Sequence, residues 1–255
     1  DELPTGQVGT LLALADKADL LFGFFAKGLK PTGSKDPYAL RRAAMGVIRL
    51  IVENDLRVSL RSLFSAVEWE RLFESDGVDY ADPTDEIVSF IIDRLKVQQR
   101  EAGVRHDLID AVFVLGGEDD LVRLLARVNA LQAFVETEEG RDLLTAYKRA
   151  ANILKKEKWG GEKASAARRE EVLPDEQALI DALDQAEPRA TAAVKAEDFT
   201  AAMAALASLR TPIDDFFDHV TVNVDDIGAR TDRLNLLLRF RDAVHRVADF
   251  SKIEG

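Results

Sequence analysis

Apolar residues recur along this chain at steps of three and four, the period of a helix buried on one face, while strand-like alternation is confined to one short run. An apolar-rich helix is predicted from Leu11 to Phe25, ending near Gly28. The stretch Pro31–Pro37 reads as a loop, with Asp36 placed to cap the next helix and Pro37 at its first position. That helix runs from about Tyr38 to Asn54 with Leu40, Ala44, Val47 and Ile51 on one face. Further helices are predicted over Ser59–Glu74, from Thr84 or Asp85 through Lys96–Ala102, and over Asp107–Leu115, Asp119–Glu136 and Glu138–Lys158. Asp76–Pro83 reads as an acidic turn, and Trp159 to Glu171 as a loose connection. Asp175–Ala186, Asp198–Leu209 and Gly228–Phe250 complete the helices. Val220–Val224 alternates like a strand but is too short to build a sheet alone. The fold class is therefore all-α, built of helical bundle domains.

Composition narrows the function classes. The 255 residues are 47% apolar and 31% charged, the balance of a soluble globular chain. Cysteine is absent, which excludes a disulfide framework, a thiolate zinc site and a cysteine nucleophile, and fits a reducing, cytoplasmic setting. No apolar run of about 18 residues is present, so no membrane-spanning helix is expected. The opening Asp1–Gly6 has neither a basic stretch nor an initiator methionine; no signal peptide is expected there, and the chain reads as a segment of a longer one.

A net charge of −12 argues, taken alone, against nucleic-acid binding. Its distribution says otherwise. Residues 67–93 sum to −8, residues 141–169 to +6 and residues 27–49 to +5. With a Debye length of about 8 Å at physiological salt, a ligand responds to the local patch rather than to the distant total.

Catalytic signals are weak. His106, His219 and His245 are scattered, with no pair at the spacing of a zinc-binding helix. Pro31–Lys35 lacks the second glycine of a phosphate-binding loop and follows no strand. The acidic run reads as a solvated face. Binding signals are better. On the 138–158 helix, Leu143, Tyr147, Ala150 and Leu154 form one apolar face. Arg141, Lys148 and Lys155, seven apart, share another face, with Asn152 between the last two and Arg149 and Lys156 flanking. Lysine and arginine attract phosphate, and a neighbouring amide can read a base edge. The last predicted helix repeats the theme. Leu236, Phe240, Ala243, Val247 and Phe250 form the buried stripe, and Arg230, Arg233, Arg239, Arg241 and Arg246 stand against Asp232 and Asp242. Spacing alone fits a plain amphipathic helix with solvated or salt-bridged bases somewhat better than an RNA contact in both cases.

Longer strings tip that balance. Leu14–Asp19, Gly23-Phe24-Phe25 and Pro31–Ala44 closely resemble the β subunit of the bacterial two-subunit-type glycyl-tRNA synthetases. Tyr147–Leu154, Pro212–Asp218 and Ala248–Ile253 resemble the C-terminal anticodon-binding domain of that family, a helical domain of the DALR type similar to that of arginyl-tRNA synthetase. The strings span nearly the whole chain in order. Two departures stand out: Asp232 where the family usually has asparagine before Arg-Leu, and a segment near Val220–Val224 poorer in methionine. The first puts an RNA contact by residue 232 in doubt.

The resemblance implies a division of labour. An α subunit would make glycyl-adenylate from glycine and ATP, with magnesium as a cofactor of the whole enzyme, and the β subunit would bind glycine tRNA, the two associating as α2β2. No cofactor and no catalytic residue is expected in this chain. Residues 1–54 would end an HD-like domain, residues 55–136 would be an acidic helical connector, and residues 137–255 the anticodon-binding domain. The expected tRNA contacts are Arg141, Lys148, Arg149, Asn152, Lys155, Arg230, Arg233 and Arg239, with a second surface at Lys35, Arg41 and Arg42. Leu14–Asp19 also resembles the last metal-ligand segment of HD-domain phosphohydrolases, but the His-Asp pair such a site needs is missing, so Asp16 is expected to brace the junction leading to Pro31. A phosphohydrolase fragment and a purely structural region that docks the α subunit are the rival readings.

Overall fold

The structure is a computed structural model that describes residues 4, 6–65, 82–161 and 172–254. Among them the regular elements are helices, with no strand. In chain order they are α1 (Gln7–Ala26), α2 (Leu40–Glu53), α3 (Leu60–Ser65), α4 (Thr84–Glu101), α5 (His106–Phe113), α6 (Leu121–Val135), α7 (Glu138–Lys156), α8 (Pro174–Lys195), α9 (Phe199–Ala207), α10 (Arg210–His219) and α11 (Ile227–His245), followed by a 3-10 turn over Phe250–Lys252. The chain divides into two compact units, Asp1–His106 with Gly117–Leu125, and Asp107–Gly116 with Ala126–Gly255.

In the first unit α1, α2 and α4 pack on one another, and α3 lies against α1 and α4. Leu21, Val47, Ile48, Ile51, Ile87, Ile91 and Leu95 are fully enclosed there, the residues that the three-and-four spacing marks as one face of each helix. Asp36 caps α2 as expected, its carboxylate accepting from the N–H of Leu40 (2.8 Å) and of Arg41 (3.0 Å). The helix nevertheless begins three residues later than Pro37, because Ala39 takes a left-handed conformation (φ 55°) that tightens the loop before the first turn. Asp16 does not brace that loop. It lies on α1 with its side chain 79% exposed, 3.9 Å from the ammonium of Lys17. The helix expected over Ser59–Glu74 is seen as α3; the rest of it and most of the acidic turn lie outside the described residues.

The second unit is built around α7, which packs against α9, α10, α11 and the 3-10 turn, while α8 packs against α9, α10 and α11. The predicted stripe of α7 is its core face: Leu143, Tyr147, Ala150 and Leu154 are all buried. Thr137 starts the helix by accepting from the N–H of Gly140 (3.0 Å). Gly140 is required there: a Cβ would stand 2.0 Å from the carbonyl oxygen of Phe134.

Three expectations change in this unit. Helix α8 does not stop at Ala186 but continues through Pro188 to Lys195. Leu183, Ala186 and Ala190 are all fully buried, so packing on both sides of the proline outweighs the lost backbone bond. Residues 210–219 form α10, with Pro212 in its first turn, where an absent N–H costs nothing. Helix α11 ends at His245 rather than Phe250, because the N–H of Asp249 bonds the carbonyl of Ala111 (2.8 Å). Val220–Val224 forms no strand and serves as the connection from α10 to α11.

Candidate nucleic-acid interface

The basic residues of α7 and α11 are used differently. On α11 each expected contact is held by an acceptor of its own unit. Arg233 is 8% exposed and ion-paired to Glu176, which is 1% exposed, and donates to the carbonyl of Thr221 (2.8 Å). Arg239 donates to Glu187 (2.8 Å) and Asp184 (2.6 Å) on α8. Burial alone would lower its guanidinium pKa, but the bonds to Glu187 and Asp184 outweigh burial and hold it above the ordinary value. Arg230 pairs with Glu157 and donates to Oδ1 of Asn223 (2.9 Å). Arg241 pairs with Asp242 (2.7 Å), and Arg246 reaches the Thr191 hydroxyl (3.0 Å).

On α7, Arg141 donates to the backbone carbonyl of Glu136 (2.9 Å), which leaves its charge unneutralised, and its side chain is exposed. Lys148 is half-buried. Arg149 sits with its guanidinium 4.3 Å above the ring of Phe217 and donates to the Phe217 carbonyl (3.3 Å). Asn152, Lys155 and Lys156 are exposed, and no carboxylate among the described residues pairs with either lysine. Residue 158, another exposed lysine, follows in a left-handed turn (φ 51°), and Trp159 then anchors the chain to α11 through Nε1 and Oδ1 of Asn235 (3.1 Å). The C-terminal half of α7 therefore presents un-neutralised cations beside a polar amide.

Next to that face lies a half-open cleft of about 360 Å³. Arg149, Lys156, Phe217, Asp218, Asn223 and Arg230 are among its lining residues. It brings two expected contacts, Arg149 and Arg230, to one place. Periodicity pointed to neither Phe217 nor Asp218; the only hint was that both belong to the family-like string Pro212–Asp218.

In the first unit, Lys35 is exposed in the loop before α2, where its backbone pairs with that of Thr32 (2.9 and 3.1 Å). Arg41 is half-buried and donates to the Gly33 carbonyl (2.5 Å), which stiffens the loop, and Arg42 is exposed. Among the described residues no group of three or more histidines and acids gathers as a metal would require, and no helix is long and apolar enough to cross a membrane.

Known proteins resolve what this arrangement belongs to. Residues 1–114 match the family described as glycyl-tRNA synthetase beta subunit, and residues 143–253 match the DALR anticodon binding domain. The chain belongs to the glycyl-tRNA synthetase beta subunit family. It is 53% identical over its whole length to the glycine–tRNA ligase beta subunit of Rhodospirillum centenum, 48% to that of a Ruegeria species and 47% to that of Phenylobacterium zucineum. It spans only 36%, 36% and 35% of those relatives respectively. The cleft and the basic half of α7 both fall inside the DALR domain.

Proposed function

We propose that this chain is the tRNA-recognition portion of a glycine–tRNA ligase, and that the DALR domain grips the anticodon arm of glycine tRNA through the exposed basic face of α7. One observation carries the reading. Within one domain, carboxylates neutralise Arg230, Arg233 and Arg239 on α11, whereas Lys155 and Lys156 have no such partner among the described residues. Backbone phosphates are the counter-charge such a face fits, and unpaired bases beside it can be reached by Asn152 and the cleft.

In this reading residues 137–255 form the anticodon-binding part, residues 1–54 close an HD-like domain and residues 55–136 connect them. The chain works in the cytoplasm within an α2β2 assembly. The ATP- and magnesium-dependent attachment of glycine belongs to the α subunit. No residue set in this chain is offered as a metal or nucleotide-phosphate site. Lys35 and Arg42 would provide a second, weaker phosphate contact.

The test is binding of glycine tRNA to the chain across a salt series. The logarithm of affinity should fall linearly with the logarithm of salt concentration, and charge reversal at Lys148, Arg149 and Lys155 should flatten the slope by about 1 for each phosphate no longer held. A slope near zero in the unaltered chain would overturn the proposal.

A further inference from the structure

Helix α7 ends in a turn that places a cation which neither the helical stripe nor the family-like strings point to. The N–H of Lys158 bonds the carbonyl of Lys155 (3.1 Å) and the N–H of Trp159 bonds that of Leu154 (2.9 Å), the paired bonds of a helix end that turns through a left-handed residue. That residue is Lys158, at φ 51°. Glycine is the usual occupant, because a Cβ there crowds the following carbonyl. Helix α8 ends in the same way, with Glu197 at φ 61°, so a charged residue at this place is not in itself the mark of a site.

What sets the end of α7 apart is how it is held and what it presents. The indole N–H of Trp159 donates to Oδ1 of Asn235 on α11 (3.1 Å). Two residues on, Gly161 (φ 96°) runs so close to α11 that a Cβ would stand 3.0 Å from Cδ2 of Leu238. Within the turn, Glu157 pairs with Arg230, whereas Lys155, Lys156 and Lys158 are exposed, and no carboxylate among the described residues pairs with them. Two causes could put a lysine at 158. The unbonded carbonyls of a helix end favour a nearby cation, but Lys155 and Lys156 already supply that charge within the last turn. A phosphate oxygen favours a cation held at a fixed place. The left-handed backbone speaks for the second cause, since such a residue persists where the structure around it over-determines it, here through the tether at Trp159. We propose that Lys158 is a contact for an RNA phosphate and that Trp159, bonded to Asn235, is the positioning residue that holds it in place. The proposal rests on the RNA-binding reading above and adds to it one contact and the tether that aims it.

The experiment titrates the whole chain with glycine tRNA at several salt concentrations and melts each variant by circular dichroism. Lys158→Gly removes the charge and the left-handed strain together, so stability and binding should move in opposite directions. Its melting midpoint should rise by about 2 °C or more. The slope of log affinity against log salt should flatten by about 1, so its affinity deficit should widen by about fourfold as salt falls from about 200 to about 50 mM. Trp159→Phe keeps a ring but loses the N–H. Alone it should weaken tRNA binding by about threefold, and in the Lys158→Gly background by less than about 1.5-fold, because the tether acts only through the lysine. An unchanged slope in Lys158→Gly, with salt-dependent binding retained, overturns the phosphate contact alone. A midpoint that falls makes Lys158 a cation kept for the helix end, and equal losses for Trp159→Phe in both backgrounds overturn the tether. Absence of salt-dependent binding in the unaltered chain overturns the RNA-binding reading itself.

Discussion

Helices α7 and α11 lie against each other, and both carry clustered basic residues, yet they put those charges to opposite uses. On α11 the arginines face carboxylates of α8 and the end of α7, among them Asp184, Glu187 and Glu157. The extreme case is Arg233, enclosed with Glu176. On the second half of α7, Lys155 and Lys156 stand on an open face, and Arg149 is held over the Phe217 ring rather than by a carboxylate. The difference teaches that a basic stripe gains meaning only from what stands opposite it. Arginine's fork matches a carboxylate or a phosphate alike, so what stands opposite it decides its use, whereas a lysine on a flexible stem is a point charge that an open face leaves available to phosphate.

The largest test of this contrast is the buried pair. Glu176→Leu leaves the Arg233 charge enclosed without its counter-ion, and should cost about 3–5 kcal/mol. Replacing both partners, Glu176→Leu with Arg233→Met, should recover most of that, since a well-packed apolar pair removes the orphan charge. Urea unfolding followed by circular dichroism measures both. A single variant that costs less than about 1 kcal/mol would mean that the α11 arginines are not structural in the sense argued here. In the double variant the slope of RNA binding against salt should stay unchanged, which distinguishes Arg233 from a phosphate contact.

Much of this domain was legible in the sequence, and the misses share a cause. The core face of α7 follows from the spacing of Leu143, Tyr147, Ala150 and Leu154, because helical period alone decides which side chains point the same way. The Asp36 cap was legible for the same local reason: its carboxylate reaches N–H groups only four and five residues ahead. What stayed hidden is decided by partners far along the chain. The fate of Arg233 depends on a glutamate 57 residues away, and the end of α11 depends on the carbonyl of Ala111. Prolines misled in a third way. Pro212 and Pro188 are strong local punctuation, but one sits in a first turn and the other is held by packing around it. The candidate site divides likewise. The lysines of α7 were visible as a stripe, whereas Phe217 and Asp218 of the cleft come from an element that periodicity did not reveal.

A second test strikes the scaffold that presents the open face. Gly140→Ala pushes a methyl group into the carbonyl of Phe134, a backbone atom that cannot swing aside, and should destabilise the second unit by about 1–3 kcal/mol. Its RNA affinity, measured well below the unfolding transition, should remain within about twofold of the unaltered chain. A large affinity loss in a fully folded variant would mean that the start of α7 contributes directly to binding.

Next comes the open face itself. Lys155→Glu with Lys156→Glu removes two cations and adds two anions where no ion pair among the described residues is broken. Unfolding free energy should move by no more than about 0.5 kcal/mol. Affinity for glycine tRNA at low salt should fall by about tenfold, or 1.4 kcal/mol. The converse pattern, reduced stability with intact binding, would place α7 in the same structural class as α11 and erase the contrast.

The smallest effect probes the seam where the two helices meet. The Tyr147 hydroxyl of α7 and Nε2 of His245 on α11 share a hydrogen bond, and Oδ1 of Asp249 stands 3.2 Å from the same nitrogen. Burial, reinforced by the charge of Asp249, pushes the Tyr147 phenol up to about 12, so it stays protonated across the working range. Burial lowers the His245 pKa, and Arg241 adds to the lowering; the charges of Asp249 and Asp242 oppose it without cancelling it. A folded-state pKa below the unfolded value of about 6.5 means that the unfolded chain binds the proton more readily. The contribution of His245 is therefore fully present above about pH 6.5 and declines as pH falls through the unfolded and then the folded value. In the protonated ring both nitrogens are donors, so Nε2 can then only donate toward the Tyr147 hydroxyl and Asp249. His245→Gln removes this titration. Unfolding free energies measured from about pH 7.5 to about pH 5 should fall less steeply in His245→Gln than in the unaltered chain. Parallel curves would show that the seam does not sense protons, and that the contact between α7 and α11 rests on its apolar packing alone.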